Sequence, residues 1–182
     1  MSATWGYSSQ RASWSDEAAE RLVGPILRRQ MNARYIVWLH RAEGSVRRVD
    51  TDYGVDALLH TPGRHIALAV RVRSSSAHKW HQVTLRDESL QTAGRRLETD
   101  KSIARFMFYG WADTDMPTAP TGLLEWYIFR LQQLIDGYQS GRILADDQRR
   151  NHDASSTFVC FDIATLKRQS LMVAGSSAVV PF

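Results

Sequence analysis

A Pro-Gly pair set between two apolar runs constrains this chain more than any other feature. In residues 50–73, DTDYGVDALLHTPGRHIALAVRVR, strand-length stretches of apolar and β-branched residues stand on either side of Thr61, Pro62, Gly63 and Arg64. Proline presets a turn φ and glycine accepts a positive one, so the segment predicts a β-hairpin. Side chains two apart on a strand share a face, which groups Arg71 and Arg73 with Ala69, Ala67 and His65. Asp56 is the one acid inside the apolar run of the first arm. Gly54, two residues before it, permits a bulge or close backbone approach that aims the side chain. An acid on one strand is thereby expected to face bases on its neighbour.

The rest of the chain supplies layers for that hairpin. Residues 103–111, IARFMFYGW, form the densest apolar run and predict a central strand buried on both faces. A helix is expected from Ser15, with Ser13 or Ser15 as cap, Asp16 and Glu17 at its positive end, and a kink at Gly24-Pro25. Residues 34–40 and 82–86 alternate as strands. Residues 123–137 carry apolar side chains at helical spacing, which favours a helix; Trp126, Tyr127, Ile128 and Phe129 are strand formers, so a strand passing into a helix is the alternative. Residues 139–156 read as a connecting loop, 157–162 as an edge strand, 164–172 as a short helix and the last ten as a tail. The class expected is α/β (α+β): a mixed central sheet of about four to six strands flanked by helices.

At 182 residues and 43% hydrophobic, the chain suits one core. The expected organisation is a loose arm over 1–14 and a single domain over 15–182. No apolar run reaches membrane-spanning length and the N-terminus lacks a secretory apolar segment, so a cytoplasmic protein with no membrane partner is expected. Cys160 stands alone, which excludes an internal disulfide and a cysteine-based zinc site.

Of 23 basic residues, 20 are Arg. The guanidinium fork suits bidentate phosphate contacts and points to nucleic acid, although a GC-rich genome produces the same excess. His78, Lys79 and His81 surround Trp80, a mixture that fits bases stacked on an aromatic and phosphates held by cations; a surface loop with Trp80 tucked inward is the competing reading. Arg95 and Arg96 extend the basic set. His40 is read as structural, and Asp113 and Asp115 as loop acids.

Asp56, followed after twelve residues by Ala69-Val70-Arg71, resembles the Asp, hairpin and acid-x-Lys core of the PD-(D/E)xK, or restriction-endonuclease-like, nuclease superfamily. DYGVDALL, IALAVRVR and FYGWAD also look like segments of phage-type proteins with this hairpin. The resemblance implies carboxylates that hold Mg²⁺ at a scissile phosphate and a Lys that orients water. By the same resemblance Asp56 and Glu20 are metal ligands, with Glu17 behind Glu20. Two departures follow: Ala69 cannot ligate, and Arg71 keeps the charge without serving as a proton carrier. Glu98 is the candidate replacement for the missing acid and Lys101 for the missing Lys; a plain ion pair three residues apart is their other reading.

The resulting expectation is a nucleic-acid-associated protein, with DNA as partner, whose catalytic set is altered. Arg71, Arg73, Lys79, Trp80, His81, Arg95 and Arg96 would contact the nucleic acid. One alternative is an active Mg²⁺-dependent deoxyribonuclease using Asp56, Glu98, Lys101 and Arg71. Another is a protein-interaction module of a phage or mobile-element assembly, with a protein partner or a homodimer.

Overall fold

Two apolar faces of one sheet are covered by different material, and the N-terminal helix covers the first. The computed structural model describes residues 9–41, 54–87, 103–150 and 157–176. Helix α1 (Ser9–Ala18) passes through a π-helical turn at Ala19–Val23 into α2 (Gly24–Met31). Pro25 has no N–H to return to the preceding turn, which accounts for the widened turn before it. The helix starts before Ser15 because Trp14 is buried and its indole donates to the Thr118 carbonyl at 2.8 Å. Residues 9–14 of the expected arm are therefore helical.

In chain order there follow β1 (Tyr35–Trp38), β2 (Ala57–Thr61), β3 (Arg64–Arg73), a 3-10 turn at Ser75–Trp80, β4 (Gln82–Asp87), β5 (Phe106–Ala112) and β6 (Leu123–Phe129). The chain goes on through α3 (Leu131–Gln139), β7 (Asp147–Arg150), β8 (Thr157–Asp162), α4 (Ile163–Arg168) and β9 (Met172–Ser176). Six strands form one sheet in the order β1-β2-β3-β5-β6-β9, and β4-β8-β7 form a second. β3 and β5 run parallel while the other pairs of the large sheet are antiparallel, so it is a mixed sheet within an α+β fold. The expected hairpin is β2–β3, in register from Thr61 opposite Arg64 to Ala57 opposite Leu68. Gly63 closes it at φ 85°, a backbone state that costs glycine nothing.

Strand alternation divides the large sheet between two cores. Leu68, Val72, Phe108 and Ile128 meet the helix through Leu22, Val23 and Leu27. Ala69, Met107, Tyr109, Trp111, Tyr127 and Phe129 meet the second sheet and α3 and α4 through Val83, Val159, Phe161, Leu134 and Leu166. Phe108 and Phe129 are fully buried, one in each core, so truncating either to Ala costs about 3–5 kcal/mol.

Three expectations change. Residues 123–129 are strand rather than helix, because a run buried on both faces at the sheet's centre favours aromatic and β-branched residues; the helix begins only at Leu131. The polar stretch 139–156 contains β7, which pairs with β8 and carries Asp147, Arg149 and Arg150, charges that suit a sheet edge. The last helix ends at Arg168, with Ser170 at φ 55°, and the expected tail supplies β9, which pairs with β6. Among the described residues no helix is long and apolar enough to cross a membrane.

Candidate functional site

Asp56 lies just before β2, where its amide donates to the Leu68 carbonyl and its Oδ2 accepts the Val70 N–H. The carboxylate thus takes the place of a backbone acceptor at the end of the β2–β3 ladder. Arg71 Nη1 donates to the Thr84 carbonyl at 2.8 Å, and Arg73 donates to the Thr84 hydroxyl and, through Nε at 3.2 Å, to the Tyr109 hydroxyl. Thr84 belongs to β4, an edge strand of the second sheet. Both guanidinium groups, half-buried, therefore tie the two sheets together. Glu20, in the π-helical turn, is held by His40 Nε2 at 2.8 Å and by Arg41. Glu98, Lys101, Arg95 and Arg96 lie outside the described residues.

Mg²⁺ asks for several oxygen ligands converging on one point. Asp56 is turned to a backbone amide and Glu20 to a histidine and an arginine; among the described residues no group of three His, Cys, Asp or Glu is arranged to hold a metal ion. Of the expected ligands, Asp56 and Glu20 are described and Glu98 is not. Cys160 is fully buried, and burial pushes its thiol up, away from the thiolate.

The structure gathers chemistry elsewhere, at one end of the row Arg73–Trp111–Glu125 that crosses β3, β5 and β6. A β-bulge lies at that end of β6. Trp111 pairs with Glu125 and Ala112 with Leu123, so Leu124 is the extra residue. Leu123 and Glu125, two apart, would share a face on a regular strand; the bulge sends Leu123 to the helix core and leaves Glu125 on the side of Tyr127. The Glu125 side chain is only 8% exposed.

His81 Nε2 lies 2.8 Å from Glu125 Oε2 and His78 Nε2 3.1 Å from the same oxygen, while the Tyr127 hydroxyl donates to Oε1. Burial alone would raise the Glu125 carboxyl. The Tyr127 and His78 bonds and the charges of His81 and His78 outweigh it and hold the group below the ordinary carboxylate range. An ionised carboxylate only accepts, so His78 donates to it from Nε2, while His81 Nε2 lies against the same oxygen as an ion-pair partner. Among the described residues neither Nδ1 has a partner. The rings stand 6.1 Å apart, nearly perpendicular, over the buried Trp111.

The backbone carrying the pair is fastened at both ends. Asp115 Oδ1 accepts the Ser75 hydroxyl at 3.0 Å and the Ser76 amide at 2.9 Å. His81 sits in the left-handed region at φ 50°, which costs a non-glycine residue on the order of 1 kcal/mol. Its N–H is held by the His78 carbonyl and its own carbonyl by the Ile163 amide. Beside the pair, Trp80 is 49% exposed, with Lys79 Nζ at 4.6 Å and the Arg149 guanidinium carbon at 5.2 Å from its ring. Arg86, Phe158 and Arg149 follow as one cross-strand row of the second sheet.

His78, Lys79, Trp80 and His81 are visible in the sequence as a cluster around an aromatic; their carboxylate partner is not. Glu125 is a lone acid within LLEWYIF, and the signal that marks it is an acid at a position where both neighbours demand burial. No protein-family model, curated protein or solved structure matches the chain.

Proposed function

We propose that this chain is a nucleic-acid-associated protein that takes unpaired bases on Trp80 and phosphates on the cations around it. The observation that carries this reading is the half-exposed indole flanked by Lys79 and Arg149. Tryptophan is a costly residue to leave in water, and an indole bordered by cations offers both a π-face for a base and charge for its backbone. The guanidinium of Arg149 stacks on bases as readily as on indole, so a base entering here exchanges one stack for another. Kinship with the restriction-endonuclease-like superfamily is supported by the β2–β3 hairpin that carries Asp56 and Ala69-Val70-Arg71, followed by a parallel β5. On this reading the ancestral acid-x-Lys position has passed from catalysis to holding the sheets together.

Trp80→Ala tests it. Alanine substitution of a base-stacking aromatic costs about 1–3 kcal/mol per base, so affinity for a single-stranded oligonucleotide should fall about 5- to 150-fold in a fluorescence-anisotropy titration. Wild-type affinity should also drop steeply with added salt, as phosphate contacts require. Salt-insensitive capture of a protein, with no oligonucleotide bound, would replace this reading by the protein-interaction module.

A further inference from the structure

The histidine pair has features that a stacking platform does not need. Two imidazoles place their Nε2 atoms against one buried carboxylate oxygen, and each keeps an Nδ1 with no partner among the described residues. The dyad of a carboxylate and a histidine is the arrangement that readies an imidazole for proton transfer, and here a second imidazole lies against the same acid. The left-handed backbone at His81 holds the second ring next to the first at a conformational cost. A cation, Lys79, and a stacking residue, Trp80, lie between the two histidines in the chain.

We propose that His78 and His81 are a general acid–base pair that cleaves RNA, using the substrate's own 2′-hydroxyl as nucleophile, and that Glu125 is their positioning residue. This rests on the nucleic-acid reading and narrows it to a ribose-containing strand. One imidazole accepts the 2′-hydroxyl proton at Nδ1 as the 2′-oxygen bonds to the adjacent phosphorus. The P–O5′ bond breaks, and the other imidazole, protonated, gives its Nδ1 proton to the departing 5′-oxygen. The products are a 2′,3′-cyclic phosphate and a 5′-hydroxyl, with no water or oxidant consumed. The pair ends with its protons exchanged, and solvent resets it. Lys79 supplies positive charge where the phosphorane oxygens become more negative. Two proton transfers and an internal nucleophile are what a site of two imidazoles and one carboxylate is equipped to handle.

The test uses the full chain, excess chelator, and a DNA oligonucleotide carrying a single ribose opposite the same oligonucleotide with 2′-O-methyl at that position. Cleavage only 3′ of the free ribose, leaving a cyclic phosphate by mass spectrometry, is the expected result. His78→Gln and His81→Gln, purified in parallel to exclude a contaminating ribonuclease, should each lower the rate about 10²- to 10⁴-fold. Glu125→Gln should lower kcat and leave KM for the oligonucleotide unchanged, a split that mere loosening of the fold would not give. If the ribose strand binds and stays intact, or the methylated strand is cut as well, this inference is overturned while the nucleic-acid reading stands. If neither strand binds, both fall. The two substrates differ by one methyl group, so the result does not depend on any variant folding.

Discussion

Arg73 and Glu125 flank Trp111 in a single row across the large sheet, yet the two charges have opposite lives. Arg73, with Arg71 beside it, spends its donors on Tyr109 and Thr84, joining one sheet to the other. Glu125 is met by a tyrosine and by two imidazoles that continue outward to solvent. A polar group whose donors are spent on other parts of the framework is architecture. One whose partners still have an outward atom to offer is the better place to seek chemistry.

Substitutions can break that contrast. Arg73→Met, which keeps the stem and removes the donors, should lower the unfolding free energy by about 2–3 kcal/mol, the scale of hydrogen bonds from a charged group. Urea melts measure it, with oligonucleotide affinity unchanged. If affinity collapses and stability holds, Arg73 is a contact residue after all.

A smaller effect belongs to Glu125. Its carboxyl is held below the ordinary range despite burial, so its contacts contribute stability fully above the unfolded value, about 4.3, and lose it as pH falls through the lower folded value. Urea midpoints followed downward from pH 7 should therefore fall less steeply for Glu125→Gln than for the wild type in that acid window. Parallel curves would mean that the ionised carboxylate is not what the pocket was built around. The least effect on stability is expected from His78→Gln, within about 1 kcal/mol, since its side chain is 37% exposed and such ion pairs are weak. A thermal shift as large as that of Arg73→Met would make the histidine structural and erase the difference between the two ends of the row.

Much of the scaffold was legible. The Pro-Gly turn, the alternation after it and the apolar block at 103–111 correspond to β2, β3 and β5, because these signals are local and a buried central strand tolerates little else. Residues 123–129 were harder, since apolar side chains at almost every position satisfy the helical and the strand period together; only the aromatic content spoke for a strand. β7 and β9 stayed hidden because edge strands carry charged and small residues that look like loop. At the site, the neighbours in sequence were readable and the contacts across it were not. His78 and Glu125 are 47 residues apart, and no local pattern announces a pairing across that distance. The aspartate and arginines of the hairpin drew attention because their spacing is a motif, whereas spacing says nothing about whether a backbone amide or a neighbouring sheet already satisfies them.

The extra residue at Leu124 lets two side chains only two apart in sequence lie on opposite faces of the sheet. Removing that one residue would restore the regular pleat with Leu123 still toward Leu22, Val23 and Leu27 and Glu125 still on the face of Tyr127. A relative of this chain could thus lose position 124 and keep the carboxylate on the histidines' side of the sheet.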